Sequence, residues 1–304
     1  MSLRTLLLAL SRRPAIGAVM ERLPVARGLV RRFVAGRTAA EAFSLIDTLE
    51  ARGLTTAVTY LGENVVTPAD AEQATAAYLA LIDDIARRRL RCEPSVKLTH
   101  LGLDLGGELC ETNVARLLER GRATNIRICI DMESSAYTDR TLDLYARLRP
   151  RYPNAATVVQ AYLKRTPADV ERLIGLGASV RLCKGAYQEP ATIAYTDKRD
   201  VDAAYARLAT RLLDAGAQKA GVYPGFATHD DQLQRHVITT ARASGAAAWE
   251  IQMLVGIREE LYGRLRAEGV SLRVLVSYGE AWYGFFMRRL AERPANMLFL
   301  FRRL

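Results

Sequence analysis

The sequence predicts an α/β fold, a (βα)8 barrel of the TIM type, on three observations. Eight short runs rich in β-branched residues recur along the chain. Longer stretches with the apolar spacing of helices separate them. Neither GxGxxG nor GxxxxGKS/T occurs, which argues against a doubly wound open sheet with the same alternation.

Taken in order, the chain opens on an arginine-rich helical arm over residues 1–50, with the barrel spanning 51–304. The first stretch, MSLRTLLLALSRRPAIGAVM, imitates a signal peptide, but its apolar core from Leu6 to Leu10 is short. Arg12 and Arg13 follow at once. It reads as an amphipathic helix of a cytoplasmic protein. The first four strand candidates are TTAVTYLG (55–62), SVKLTH (95–100), IRICID (126–131) and TVVQAYL (157–163). ASVRLCKG (178–185), VYPGFATH (222–229), WEIQML (249–254) and SLRVLVS (271–277) complete the eight. Helical patterns lie between them, as in PADAEQATAAYLALIDDIARR and DDQLQRHVITTARAS. Thr67-Pro68, Asp139 and Thr166-Pro167 are helix starts, and Gly177 and Gly216 are helix stops. No linker or repeat divides the chain, so one barrel domain with an arm is expected.

The 304 residues are half hydrophobic and a quarter charged, a globular composition able to bury a large core. No apolar run approaches the roughly 18–20 residues that span a bilayer. Net charge is +10, mostly from arginine. Without a compact basic stripe interleaved with aromatics, nucleic acid is not the expected partner. SRRPA, VRRFVAGR and the terminal FLFRRL mix arginine with apolar residues, which suits peripheral contact with an anionic membrane face. Four cysteines without a CxxC pair and three histidines lack structural-zinc spacing; no metal is expected, and the thiols read as reduced.

Parallel barrels carry their chemistry at the C-terminal strand ends. Glu63, Lys97, His100, Asp131, Glu133, Gln160, Lys184, Thr228, His229 and Gln252 fall there. Singly, each has a plain reading: Lys97 as a rim lysine, Asp131 as a helix cap, His229 as a hydrogen-bonded loop residue. Together they describe a site. Lys97, Arg181, Lys184 and two arginines beyond the last strand make its mouth cationic, so anionic ligands are expected. Those two, Arg288 and Arg289 in YGFFMRRLAERP, lie about 100° apart on a helix. Glu292 is within side-chain reach of both. They form either a solvated, salt-bridged face or a paired guanidinium clamp for a carboxylate.

The segments SVKLTHLG, IRICIDMESSAYTD, VVQAYLKRTPAD, VRLCKGAYQEP, FATHD, WEIQMLVGIR and WYGFFMRRLAERPAN, in this order, resemble the proline dehydrogenase family. The resemblance runs from about residue 40 to the C-terminus. It implies a flavoenzyme on a distorted barrel with its last helix over the mouth. Such an enzyme oxidises L-proline to Δ1-pyrroline-5-carboxylate and passes electrons from FAD to a membrane quinone. By this resemblance Lys97, Arg288 and Arg289 bind the substrate carboxylate, and Glu292 accepts from the ring ammonium. Asp131 holds Lys97, Arg181 stands near flavin N5, and Glu63 pairs with the first arginine as a gate. Gln160, Met132, Lys184, Gly185 and Ala186 contact the flavin side of the cofactor. Ala227, Thr228 and His229 meet its adenosine half, and Thr196 and Lys198 its polar middle. Leu254 and Tyr187 wall the pyrrolidine. Two positions depart from the family pattern: Phe285 replaces a tyrosine on the last helix. Leu275 replaces a second, for which Tyr278 is the nearby substitute, leaving a greasier pocket. Outside the resemblance, the residues also allow a barrel acting on a phosphorylated small molecule. A non-catalytic barrel held to a membrane by its arm is the third reading.

Overall fold

The structure, a computed structural model, describes residues 30, 32–283, 286 and 287. Eight strands close into a barrel in sequence order: β1 Thr55–Tyr60, β2 Cys92–Val96, β3 Ile128–Ile130, β4 Ala155–Gln160, β5 Ser179–Cys183, β6 Tyr223–Ala227, β7 Glu250–Leu254 and β8 Leu272–Tyr278. Every neighbouring pair is parallel, and β8 closes on β1 from Thr55↔Arg273 to Tyr60↔Tyr278. All six residues of β4 are buried, as expected of a strand covered on both faces.

The helices are α1 Ala39–Ala51, α2 Pro68–Arg88, α3 Gly107–Ala123, α4 Thr138–Leu148, α5 Thr166–Gly175, α6 Lys198–Leu212, α7 Ala215–Lys219, α8 Asp231–Ser244 and α9 Leu261–Ala267. The start expected at Thr67-Pro68 is a full capping box: Thr67 accepts from Asp70 N, and the Asp70 carboxylate accepts from Thr67 N. Asp139 falls inside the first turn of α4, where its charge favours the helix N-terminus. Gly177, with φ +55°, follows the end of α5 as expected.

Two boundaries differ from expectation. Gly216 does not end a helix. α6 stops at Leu212, and Asp214 caps the new helix α7 by accepting from Ala217 N at 2.8 Å. The carboxylate supplies a local N-cap, and a cap outcompetes continuation where the chain must turn. The second strand ends at Val96, so Lys97 and His100 are not strand residues. Leu98–Leu101 instead form a 3₁₀ turn stopped by Gly102, at φ +94°.

The last part of the expected arm belongs to the barrel wall. α1 buries Ala42, Phe43, Ile46 and Leu49 in the common core, against β8 and β1. Before it, Ala35 N donates to Ser277 O and Gly279 N donates to Gly36 O, so this segment crosses the C-terminal end of β8. Phe33 there meets Phe286 at 6.1 Å, and Phe286 also meets Trp282 at 6.0 Å. Phe286 and Met287 are buried. The residues just before the arginine pair are therefore anchored at the barrel mouth. Arg288, Arg289, Glu292 and Phe285 themselves lie outside the described residues, as do 1–29. Among the described residues no helix is long and apolar enough to cross a membrane.

Candidate active site

Strand alternation aims one residue in two inward, and Glu93, Arg181, Glu250 and Gln252 are buried on these strands. At the N-terminal end Glu250 accepts from Arg273 Nε (2.7 Å), Arg273 Nη2 (3.1 Å) and the Tyr223 hydroxyl (2.9 Å). Glu93 accepts from Arg127, which also lies 3.7 Å from Glu250 and 4.5 Å over the Tyr223 ring. Burial would raise the Glu93 carboxyl, but Arg127, Arg273 and Arg181 around it hold it below the usual carboxylate range.

One layer higher, Arg181 of β5 is buried and bonded on all sides. Its Nε donates to Gln252 Oε1 at 2.5 Å, and its Nη1 to Ser95 Oγ at 2.9 Å and Asp131 Oδ1 at 3.0 Å. Its Nη2 donates to Glu93 at 3.2 Å. Asp131, just past β3, turns its other oxygen to Lys97 Nζ at 3.4 Å. The carboxylate thus bridges an ammonium at the mouth and a guanidinium on the floor. Burial works against the Lys97 charge, but Asp131, Tyr187, Glu133 and Glu63 nearby leave its pKa raised, so it remains an ammonium.

On the rim of β4 and β5, buried Gln160 donates to Glu133 O at 2.9 Å and accepts from Ala186 N at 3.4 Å. Glu133 is itself buried; that burial raises its pKa, although Thr99 donates to it at 3.1 and 2.7 Å. Gly185 has φ +130°, and a Cβ there would lie 2.2 Å from the Tyr162 ring. Only glycine seats this turn. Met132 packs into the main core beside Asp131. On the β6 rim, beyond half-buried Ala227, Thr228 is buried and accepts from Asp230 N at 3.1 Å. His229 Nε2 accepts from Leu254 N at 2.9 Å, which binds the ends of β6 and β7 together. Tyr278 stacks on Tyr60 at 5.3 Å, while Thr196 is exposed in the loop before α6.

The cationic mouth expected from the strand ends is partly neutralised. Lys184 contacts Asp202 and, at 3.2 Å, Asp230; Lys198 joins the same two, with Asp230 at 3.4 Å. Asp202 lies in the second turn of α6, and Asp230 caps α8, where the helix N-terminus favours an acid. A count made over strand ends alone leaves these out. Glu93, Ser95, Arg127, Glu250 and Arg273 were also missed. Their signal was present, since Glu250, Gln252 and Leu254 alternate through an apolar strand.

The donor set suits a planar, polar heterocycle. The Gln160 amide and Ala186 N meet at the ends of β4 and β5 through a 3.4 Å bond long enough for a ring to displace, and the Arg181 guanidinium is buried on β5 itself.

A family model described as proline dehydrogenase matches residues 42–302. The chain is 37% identical over 274 residues to Proline dehydrogenase 1 of Bacillus subtilis subsp. natto, covering 90% of this chain and 89% of that one. It is also 37% identical to Proline dehydrogenase of Deinococcus radiodurans over 281 residues, 90% of this chain and 88% of the relative. The chain belongs to the proline dehydrogenase family. Proline is the substrate, and its oxidation in proline catabolism is the reaction. Membership decides against the phosphorylated-substrate and non-catalytic readings.

Solved structures share the fold of this proline dehydrogenase. The proline utilization A protein of Bdellovibrio bacteriovorus superimposes with a TM-score of 0.82 at 23% identity, covering 89% of this chain and 33% of that one. The Bradyrhizobium japonicum protein gives 0.75 at 24% identity, with 92% and 33% covered. This proline dehydrogenase spans about a third of those longer chains.

Proposed function

We propose that this barrel oxidises L-proline with FAD as its flavin, and that the bridge from Lys97 through Asp131 to Arg181 organises the site. That bridge is the observation that carries the reading. When bound, the flavin supplies acceptance of a hydride from the proline carbon next to nitrogen. Lys97 binds the substrate carboxylate from the β2 side, with Arg288 and Arg289 completing the clamp and Glu292 accepting from the ring ammonium. Asp131 fixes Lys97 in place and keeps it charged. Arg181 holds a fixed positive charge under the reacting ring, already ordered before reaction, so no reorganisation is required at that moment. Gln160, Met132, Lys184, Gly185 and Ala186 hold the ring side of the cofactor. Ala227, Thr228 and His229 hold the adenosine half, with Thr196 near the middle. Leu254, Tyr187 and Tyr278 exclude water around the pyrrolidine, and Glu63 gates the mouth with Arg288.

In this reading a quinone takes the electrons, and the basic ends make peripheral contact with an anionic membrane. The purified protein is expected to be yellow, to release FAD rather than FMN on denaturation, and to bleach anaerobically with L-proline. Arg289→Met is expected to raise KM for proline by on the order of 30-fold or more, the loss of a largely desolvated carboxylate contact worth ~2–5 kcal/mol. A KM equal to the parent's removes the clamp. Reoxidation by a soluble quinone tests the acceptor.

A further inference from the structure

Gln252, expected at a strand end, lies in the middle of β7. Its position is closely defined. Its Nε2 donates to Glu250 Oε1 at 2.6 Å, and its Oε1 accepts from Arg181 Nε at 2.5 Å. The two bonds orient the amide, since only the oxygen can face the guanidinium and only the nitrogen the carboxylate. Glu250 is held in turn by Arg273 and Tyr223. Across the sheet stands Gly225, where a Cβ would come within 2.4 Å of Gln252 Nε2. The neighbouring strand is thus cut back to admit this side chain.

Charge gives the arrangement its meaning. Arg181 already faces two carboxylates, Glu93 and Asp131. Counted with their neighbours, Arg127, Arg181, Arg273 and Lys97 exceed Glu93, Asp131 and Glu250 by one positive charge, which an acid on Nε would cancel. A neutral amide ties Arg181 to the ordered Glu250–Arg273 pair without adding that charge. We propose that Gln252 is a positioning residue for proline oxidation: it sets the plane of the Arg181 guanidinium and leaves its positive charge available to the reduced flavin. The proposal rests on the reading that Arg181 lies beneath the flavin.

The test compares Gln252→Met, which removes the orienting bonds, with Gln252→Glu, which keeps the shape and adds a charge. For Gln252→Met, kcat is expected to fall roughly 10- to 100-fold while KM for proline stays within about threefold and flavin content is kept. For Gln252→Glu in mildly alkaline buffer, the flavin midpoint potential is expected to fall. A tenfold change in the reduction equilibrium would read as about 30 mV for a two-electron couple. A purely structural role would lower flavin content and melting temperature and leave the potential of the retained flavin unmoved. Should Gln252→Glu not fold, kcat and KM of Gln252→Met decide. Parent-like kcat in Gln252→Met, or an unshifted potential in Gln252→Glu, overturns the proposal. A parent protein that takes up no flavin overturns the site reading and this proposal with it.

Discussion

Asp131 shows how one residue can serve two functions in this site. Each of its oxygens holds a different cation, at 3.4 and 3.0 Å, and both cations are mostly buried. Removing it leaves Lys97 and Arg181 short of a partner in a poorly solvated place. Asp131→Ala is expected to lower kcat/KM for proline on the order of 10²-fold, ~3 kcal/mol, in steady-state assays. His100 behaves differently. Gly62 packs against its ring so closely that a Cβ would come within 2.2 Å. Burial, with Lys97 nearby, pushes its imidazole from 6.5 down to about 4. The native state therefore resists a proton that the unfolded chain accepts. No stability is lost above the unfolded value; below it, stability falls until the native pKa is reached. That loss is about 3 kcal/mol between these two values. Urea unfolding across this range should show a smaller acid loss for His100→Gln than for the parent.

At the scale of elements, the loop after β5 is the part on which the cofactor reading most depends. It is tied to the loop after β4 by Tyr162 N to Lys184 O (2.8 Å), Tyr195 N to Tyr162 O (2.8 Å) and Lys164 N to Ile193 O (2.9 Å). The carboxylate of Glu189 accepts from Ser135 N at 2.7 Å and fastens the same loop to the turn before α4. Gly185 is the tight point. Gly185→Ala places a methyl against Tyr162 in a backbone conformation that L-residues avoid. It is expected to cost about 1–3 kcal/mol of stability and to reduce flavin retention, read as the visible-to-ultraviolet absorbance ratio. The strand runs and the helix start at Thr67-Pro68 were legible in the sequence because both depend on neighbours within a few residues. The early end of β2 and the stop of α6 before Gly216 were not. A 3₁₀ turn closed by Gly102 takes over after the one, and the Asp214 cap starts a new helix after the other.

For the whole molecule, closure of the barrel brings Arg127, Arg273, Glu93 and Glu250 from four segments into one buried cluster beneath Arg181. Glu250 is nearly inaccessible and has four partners there. Glu250→Ala would leave Arg273 buried without its principal carboxylate. A loss of about 3–5 kcal/mol is expected, seen as a lower denaturant midpoint, with reduced turnover in whatever protein stays folded. The sequence by itself determined the alternation of strands and helices and the motifs at the strand ends, because periodicity and short spacings are local. Through the family match it also determined the substrate and reaction. Only the tertiary structure decided which charges meet: that Asp131 joins Lys97 to Arg181, that Lys184 is matched by Asp202 and Asp230, and that Gln252 stands between Glu250 and Arg181. Those pairings depend on the register of strands tens of residues apart, and register is set when the barrel closes.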